Sequence, residues 1–440
     1  MTSYVRAIDS SNDRKRRALL RAAAGAAAAA LAPGCAREPD ATVRFWAMGR
    51  EGEVVGELLQ ELERSAGIRV RIEQLPWSAA HEKLLTAFAG DTTPDLCQLG
   101  NTWLPELVAL GALEPLGARV RVSPIVDARD YFTGIWDTNI AQGDQYGVPW
   151  YIDTRLLFYR PDLLAKAGFS APPRDWEEWL RMLTALKESV GRDRYAILLP
   201  LNEFEPLVAL SLQQDEPLLR DGDRWGNFRS DGFRRTLRFY LSMFERGLAP
   251  PASNNQIANV WNEFGRGYFS FYISGPWNIG EFKRRLPAEL QSAWMTAPLP
   301  GPGGPGASIA GGSSLVVFRR SRVKDAAWRV VEYLAQPAVQ RRFHALTGNL
   351  PPRRSAWDDP TLARDQHARA FFDQLERVRP APKVPEWERI ATELRLVVER
   401  VVHGELAADG APAELDARAD RILEKRRWML DRKVGKVEAG

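Results

Sequence analysis

From residue 41 onward, the spacing of apolar side chains predicts strands that alternate with helices. The first two strand segments alternate apolar and polar residues, and the segments after them carry apolar residues at helical spacing. Gly67 follows the first helical run and is expected to end it as a C-terminal cap. The predicted elements are strands over 41–48, 68–75 and 94–99 and helices over 54–66, 78–90 and 104–111. This order indicates a parallel sheet with helices on its faces.

Polar side chains are expected where these strands end, because ligands of open parallel sheets gather beyond the carboxyl ends of the strands. Residues 48–52 and 100–103 are the predicted loops at that edge. Neither loop contains a glycine-rich phosphate motif, so a nucleotide is not favoured. Asn101, Thr102 and Trp103 instead offer amide, hydroxyl and indole groups, and we predict that they contact a ligand. The alternative for Trp103 is a packing role at the start of a helix.

The segment 147–159 combines a strand-like apolar run with a polar trio from Asp153 to Arg155. A buried strand does not carry unpaired charges at its middle without a cost in free energy. We therefore predict that this strand crosses from one globular body to another, with Trp150, Tyr151 and Asp153 facing the gap. In the alternative interpretation, Asp153 and Arg155 point to opposite faces and find ordinary partners.

A Gly-Pro-Trp turn, Gly275–Trp277, is the second distinctive motif. The strand predicted over 269–273 leads into it, which places the Trp277 indole at a strand end. Sugars present C–H patches on one face and hydroxyl groups at their edges, and an indole with nearby carboxylate acceptors complements both. Several of the 15 Trp lie at predicted loop or strand ends, which favours a ligand role over core filling.

Three carboxylates are candidate acceptors of hydrogen bonds from sugar hydroxyl groups. Asp153 lies in the crossing strand, whereas Glu203 and Glu205 follow the strand predicted over 195–201. Hydrogen bonds to ionised groups are stronger than those between neutral groups. We therefore expect these three side chains to bind hydroxyl groups.

The two distinctive segments carry a resemblance to a known family. Residues 147–168 contain a Gly-x-Pro, an aromatic pair, a polar break, then Leu-Leu-Phe-Tyr-Arg-Pro-Asp-Leu-Leu and Lys-Ala-Gly. Together with the Gly-Pro-Trp turn, this order resembles the family-1 extracellular solute-binding proteins, the maltose- and trehalose-binding components of sugar ABC transporters. The resemblance covers nearly all of the chain that follows residue 41, in order. It implies that Trp277 is the aromatic platform for the sugar.

The resemblance implies an α/β protein with a two-lobe, periplasmic-binding-protein-like fold of type II, whose discontinuous lobes are joined by hinge strands. The predicted lobes are 41–153 with 297–335 for the N-terminal lobe and 156–295 with 337–431 for the C-terminal lobe. Hinge strands are expected near Asp153–Leu156 and near Pro298, the latter in a strand over 295–300 that returns to the first lobe. A hinge motion is expected to close the lobes on the ligand.

Further cleft residues follow from the resemblance. In the family a Gly-Gly-Ser lies at the cleft, which here is Gly311, Gly312 and Ser313. Glycine at such positions also has a structural reason, a positive φ or close packing. Further candidates, for which a helix cap, a surface position or packing is the alternative role, are Asn349, Arg353 and Trp387.

Residues 1–34 are predicted to be an export signal. A basic block at 14–17 precedes an alanine tract and the small residues that lead to Cys35. Arg16 and Arg17 ahead of a Leu-Leu-Arg resemble a twin-arginine signal, and an arginine-rich Sec signal is the alternative. Cys35 resembles the lipidated cysteine of a bacterial lipoprotein. The expected location is the periplasm, or the membrane surface through this lipid anchor alone.

The charge balance changes when the signal is set aside. The whole chain has a formal net charge of +4, and residues 1–34 contribute six basic and two acidic side chains, so the remainder is close to neutral. Nucleic acid is therefore not an expected partner. Apart from Cys35 the chain contains only Cys97, so neither disulfides nor a Cys/His metal site is predicted, and we expect no cofactor.

Together these features predict a monomeric, non-enzymatic substrate-binding component of a carbohydrate ABC importer. It is expected to bind a di- or oligosaccharide in the interlobe cleft and deliver it to the permease subunits. The alternative is a binding protein for a polyol or a glycerol phosphate, with Arg50, Arg155 and Arg353 available to a phosphate ester. An exported glycoside hydrolase is less favoured, because no nucleophile motif is present and a carboxylate pair at catalytic separation is required.

Overall fold

The computed structural model describes residues 42–437. The predicted export signal and Cys35 lie outside the described residues. Within the described range, strands alternate with helices along the chain and form two large sheets. None of the helices described between residues 42 and 437 combines the length and the apolar character needed to cross a bilayer.

Within residues 42–437, nine strands form the two large sheets. They are β1 (Thr42–Met48), β2 (Arg69–Leu75), β3 (Leu96–Gly100), β4 (Gly147–Ile152), β5 (Leu156–Tyr159), β6 (Tyr195–Leu198), β7 (Phe269–Ser274), β8 (Met295–Ala297) and β9 (Gly312–Val317). Two-stranded ribbons pair Ile140–Ala141 with Asp144–Gln145, Leu219–Arg220 with Trp225–Gly226, Pro300–Gly301 with Gly304–Pro305, and Ser308–Ile309 with Val378–Arg379.

The helices cover the faces of the sheets. In chain order they are α1 (Gly49–Ala66), α2 (Trp77–Ala89), α3 (Leu104–Ala109), α4 (Gly117–Val122), α5 (Thr133–Asp137), α6 (Pro161–Lys166), α7 (Trp176–Val190), α8 (Glu205–Ser211), α9 (Asp231–Glu245), α10 (Val260–Gly265), α11 (Trp277–Arg285), α12 (Lys324–Leu334), α13 (Pro337–Thr347), α14 (Pro360–Ala363), α15 (Gln366–Leu375), α16 (Trp387–Val402), α17 (Ala411–Ile422) and α18 (Glu424–Val437). As predicted, α1 ends at Gly67, which has a φ of 68° and donates to the Glu63 carbonyl.

The first sheet has the strand order β2-β1-β3-β9-β4. β1 runs parallel to β2 and to β3, while β9 is antiparallel to both β3 and β4. The carboxyl ends of β1 to β4 therefore meet at one edge. β9 begins at that same edge, where Gly312 pairs with Ile152 and Ser313 pairs with Gly100.

The second sheet has the strand order β8-β5-β7-β6. β7 runs parallel to β6, and β5 is antiparallel to both β7 and β8. Leu156 pairs with Ser274, so the amino end of β5 lies at the same edge as the carboxyl ends of β6 and β7. Because β5 follows β4 almost directly, this edge faces the corresponding edge of the first sheet.

The chain connects the two lobes three times. Two of these passages link strands of the two sheets and lie at neighbouring positions, and the third follows α13 and leads to α15 and α16 of the second lobe. The predicted crossing strand 147–159 is observed as β4 and β5, which belong to different sheets and are separated by the residues from Asp153 to Arg155. The second passage lies between Ser308–Ile309 and β9. There the Asp153 amide donates to the Gly311 carbonyl at 2.9 Å. A Cβ added to Gly311 would lie 2.0 Å from the Asp153 carbonyl oxygen, so only glycine allows this approach.

The predicted second hinge strand requires a correction. β8 does not return to the first lobe, because it pairs with β5 inside the second sheet. Leu299 is fully buried in the core of the second lobe, and the Trp176 indole donates to the Pro300 carbonyl. The hinge predicted at Pro298 is therefore wrong, and the passage near Gly311 takes its place.

Helix α13 also differs from the predicted lobe boundary at residue 337. Its side chains Val339 and Phe343 lie in the core of the first lobe, together with Trp150 and residues of α1. Phe343 stacks on Trp150 with ring centroids 4.5 Å apart and an interplanar angle of 20°. The lobe on which α13 packs depends on contacts distant in sequence.

The Phe343 contact yields a prediction about stability. Phe343→Ala is expected to lower the free energy of unfolding by about 3–5 kcal/mol, because Phe343 is 1% exposed and its removal leaves a cavity beside Trp150. Urea unfolding followed by circular dichroism measures the change. Val122→Ala, at a side chain that is 81% exposed, is the control and should shift stability by less than about 0.5 kcal/mol. Equal effects of the two substitutions would contradict the packing assignment.

Candidate ligand-binding cleft

A cleft of about 720 Å³ lies where the edges of the two sheets face each other. Its lining comes from the carboxyl ends of β3 and β4 and from the segments that follow β1, β2, β6 and β7. The passages near Asp153 and Gly311, the end of α13 with Asn349, and the start of α16 complete it. This arrangement matches the expectation that polar and aromatic groups gather at strand ends. The predicted site residues that line the cleft are Asn101, Thr102, Trp103, Tyr151, Asp153, Glu205, Trp277, Gly311, Gly312 and Asn349.

Other predicted site residues lie outside the cleft lining. Trp150 is 1% exposed in the core of the first lobe, because the alternation along β4 turns Tyr151, its neighbour, toward the cleft. The Ser313 hydroxyl is buried and donates to the Leu99 carbonyl at 3.2 Å. Both side chains are therefore buried in the first lobe and stabilise its sheet.

Arg353 is also remote from the cleft lining. Its guanidinium donates to Asp130 at 2.6 Å and to the carbonyl oxygens of Ile125 and Ala335 at 2.9 and 2.7 Å. These bonds hold the segment after α13 against the first lobe. Arg353 consequently has a packing role, the alternative noted for it above.

Arg155 is the central charged group of the cleft. The side chain is buried and its guanidinium lies 3.1 Å from Glu205, 3.4 Å from Glu203 and 3.4 Å from Asp153. Burial opposes ionisation of Arg155, but the three carboxylates outweigh it and raise the pKa of the guanidinium. Burial also raises the pKa of Asp153 and of Glu203, against the opposing effect of Arg155. One cation thus holds three carboxyl groups that would otherwise repel one another.

The Trp277 indole is held in place from two directions. The Arg155 guanidinium carbon lies 4.8 Å from the centroid of the ring, within the range of a cation–π contact. A Cβ added to Gly275 would come within 1.8 Å of the same ring, so the glycine leaves the space that the indole occupies. Gly275 and Glu203, although absent from the lining, therefore act through Trp277 and Arg155.

Glu51 is a cleft residue that the sequence analysis did not identify. It lies in the first turn of α1, is 7% exposed and accepts a hydrogen bond from the Asn349 amide at 2.6 Å. Burial raises the pKa of the Glu51 carboxyl, and hydrogen bonds from Asn349 and Tyr151 partly offset this effect. Residues 48–52 are predicted to be a loop, but α1 begins at Gly49, so Glu51 is fixed by a helix.

Glu388 is a second carboxylate that the sequence analysis did not identify. It lies in the first turn of α16, a helix of the second lobe, and lines the cleft together with Thr102 of the first lobe. Burial raises the pKa of Glu388, while the Thr102 hydroxyl and His81 lower it. In the sequence Glu388 follows Trp387, a residue that is fully buried, so the local pattern indicates a core helix and not a ligand site.

Acidic groups predominate in the cleft. Among the described residues, five carboxyl groups and two guanidinium groups line it. Arg155 is surrounded by carboxylates, and Arg50 lies 2.8 Å from Glu53. Glu51 accepts from an amide, and Glu388 lies near the Thr102 hydroxyl. The cleft therefore offers more acceptors than cations to a ligand, and no cluster of metal ligands occurs among the residues described.

Comparison with known proteins identifies the family. The family model for bacterial extracellular solute-binding proteins matches residues 57–370 of the chain. The chain belongs to this family. This match confirms the resemblance to solute-binding proteins that the sequence motifs indicate.

Solved structures and curated relatives extend the comparison. The structure of the sugar-binding protein MalE from Xanthomonas citri is similar to this solute-binding protein with a TM-score of 0.84 and 59% identity, over 89% of this chain and 99% of that chain. The diacetylchitobiose binding protein DasA of Streptomyces coelicolor is 22% identical over 84% of this chain and 87% of its own length. The galactooligosaccharide-binding protein of Bacillus subtilis is 21% identical over 82% and 84%. The likeness to MalE confirms the predicted two-lobe α/β fold.

The Arg155 cluster yields a prediction about pH. Arg155→Gln is expected to cost the solute-binding protein about 3–5 kcal/mol at neutral pH, because it leaves buried carboxylates without their cation. Burial already raises the pKa values of Asp153 and Glu203 in the folded state, and without Arg155 they rise further above those of the unfolded chain. The folded state then binds protons more tightly, so stability is retained at low pH and lost as the pH rises through the folded pKa values.

Urea unfolding at pH 5 and pH 8 measures this difference. The stability deficit of Arg155→Gln relative to the parent chain should be larger at pH 8. Arg50→Gln, which removes an exposed ion pair with Glu53, is the control and should change stability by about 1 kcal/mol or less. A deficit for Arg155→Gln that is the same at both pH values would contradict the electrostatic account.

Proposed function

We propose that this chain is the extracytoplasmic substrate-binding component of a carbohydrate ABC importer, which binds a neutral di- or oligosaccharide between its lobes and delivers it to the permease. The observation that carries the proposal is the half-buried Trp277 indole in a cleft whose other polar groups are mainly hydrogen-bond acceptors. The indole face complements the C–H face of a sugar ring. The carboxylates complement the hydroxyl groups at its edge.

The proposed contacts come from both lobes. From the first lobe we assign Glu51, Asn101, Thr102, Trp103 and Tyr151 to the ligand. The passages between the lobes contribute Asp153, Gly311 and Gly312, and the second lobe contributes Glu205, Trp277 and Glu388. Since groups of both lobes would hold the same ligand, binding favours a closed arrangement of the lobes.

The charge of the cleft argues against a phosphate ester. Arg155 and Arg50 already have carboxylate partners, and Arg353 is engaged with Asp130 away from the cleft. A phosphate group would have to displace these carboxylates and would lie near Glu51 and Glu388. A neutral sugar meets no such repulsion, so the glycerol-phosphate alternative is not favoured.

The relatives support the same ligand class. MalE of Xanthomonas citri, at 59% identity, is a sugar-binding protein, and the two curated relatives described above bind diacetylchitobiose and galactooligosaccharide by name. Family and fold are those of binding proteins, and we assign no catalytic role to the carboxylates. An extracytoplasmic location, export by the signal in residues 1–34 and lipidation of Cys35 complete the proposal.

A ligand panel tests the proposed function. Residues 38–440 are expected to bind a neutral disaccharide such as trehalose or maltose, and Trp277→Ala is expected to weaken that affinity by tenfold or more, because the ring face is lost. Isothermal titration calorimetry measures both. Trp428→Ala removes an indole that is 53% exposed outside the cleft and should leave the affinity unchanged. Binding of glycerol phosphates but of no neutral sugar would overturn the proposal.

The carboxyl groups yield a second prediction. Burial raises the pKa values of Glu51 and Glu388, so each carboxyl in the free protein holds its proton to a higher pH than it does in the unfolded chain. Sugar hydroxyl groups donate to the ionised form, so binding should lower these pKa values and release protons. Affinity should therefore rise between pH 5 and pH 7.5.

Calorimetry in two buffers with different ionisation enthalpies measures the number of protons released. Glu388→Gln should reduce the release and flatten the pH dependence, because the amide does not titrate. Glu393→Gln, on the same helix but outside the cleft lining, is the control. Proton uptake on binding would contradict the assigned role of these carboxylates.

A further inference from the structure

Trp77 is an aromatic residue of the cleft to which neither the sequence motifs nor the relatives assign a role. Among the described side chains, the large apolar ones that are exposed are Trp77, Leu110, Val122, Trp428 and Met429. Of these, only Trp77 lines the cleft, and it is 38% exposed there. An indole left open to solvent in a concave polar site indicates a contact surface for a ligand.

The indole of Trp77 is held in a defined orientation. It begins α2 directly after β2, and its ring packs beside Gly49, where an added Cβ would lie 3.1 Å from it. On another side it meets Trp103 edge-to-face, with ring centroids 5.6 Å apart and an interplanar angle of 65°. Trp103 in turn contacts His81, whose imidazole lies 2.7 Å from Glu106. Because these contacts fix both indoles, little side-chain freedom remains to be lost on binding.

Trp77 and Trp277 enter the cleft beyond different strand ends. Trp77 follows β2, the strand at one edge of the first sheet, while the passage at Asp153 follows β4 at the other edge. Four strand spacings separate these edges, which is about 19 Å. Trp277 stacks with Arg155, which is itself bound to Asp153, so it belongs to the end near the passage. Trp77 and Trp277 therefore begin helices of different lobes, beyond ends of different strands, and we expect them to contact different parts of a ligand.

We propose that Trp77, steadied by Trp103, forms a second aromatic platform for a sugar ring other than the one on Trp277, so that the cleft is built for ligands of two or more rings. We define the Trp77 ring as the outer platform and the Trp277 ring as the inner platform. The inference rests on the proposed function and specifies its ligand class. A ligand with a single sugar ring binds at the inner platform. A longer ligand that extends toward β2 also contacts the outer platform.

Affinities of Trp77→Ala for sugars of increasing length test the outer platform. Isothermal titration calorimetry with trehalose, maltose and maltotriose should show a loss of about tenfold for the best-bound of these sugars. Ligand-observed NMR with methyl α-glucoside should show a change of less than about twofold for a single ring. Trp77→Phe, which keeps an aromatic face, should recover most of the lost affinity, and the exposed Trp428→Ala is the matched control.

The outcomes separate this inference from the proposed function. A parent chain that binds no neutral sugar overturns both. Sugar binding by the parent that Trp77→Ala leaves unchanged at every length overturns the outer platform alone, as does an equal loss for one ring and for several. A loss that grows with ligand length and is recovered by Trp77→Phe supports it. Near-ultraviolet circular dichroism checks that the remaining tryptophans keep their packing in each variant.

Discussion

The cleft depends on one buried guanidinium group. Arg155 follows the first passage between the lobes, binds the carboxylates of Asp153, Glu203 and Glu205, and lies against the Trp277 ring. Its backbone carbonyl accepts a hydrogen bond from Ser308 at 2.6 Å, next to the second passage. Burial of an unpaired cation costs several kcal/mol of free energy, about 3–5 kcal/mol when a buried partner is removed. The contacts that pair Arg155 also hold the loop before α8, the Trp277 indole and the two passages close together. Charge pairing around Arg155, together with apolar packing, therefore determines where these groups lie in the cleft wall of the second lobe.

The same group determines what the cleft offers to a ligand. The positive charge of Arg155 is neutralised by the carboxylates that surround it. The polar groups that the cleft presents to a ligand are therefore mainly hydrogen-bond acceptors. Glu51 and Glu388 add carboxyl groups that lie beside an amide and a hydroxyl. A ligand rich in donors and free of negative charge fits this surface. The flat indole faces provide apolar surfaces against which the C–H face of a sugar ring can stack.

Local patterns in the sequence predicted the elements well and their assembly less well. The strand predicted over 41–48 is observed as Thr42–Met48 and the one over 68–75 as Arg69–Leu75, because periodicity is a local property. The sheet that β8 joins and the lobe that α13 covers depend on partners far along the chain, which periodicity does not encode. The same limit applies to side chains: Arg353 is bound to Asp130, 223 residues away, and only the register of β4 decides that Tyr151 rather than Trp150 faces the cleft.

The hydrogen bond between Glu51 and Asn349 joins positions 298 residues apart. It lies on the floor of the cleft, so the site exists only after most of the chain has been synthesised and both passages have formed. A ribosome that has completed the first half of the protein has produced β1, β2 and β3 without α13 or α16, the elements that later carry their partners in the cleft. Loop closure over such distances is slow, and exposed strand edges persist meanwhile. The cleft of this protein is therefore completed late, when the residues that follow α13 reach the first sheet.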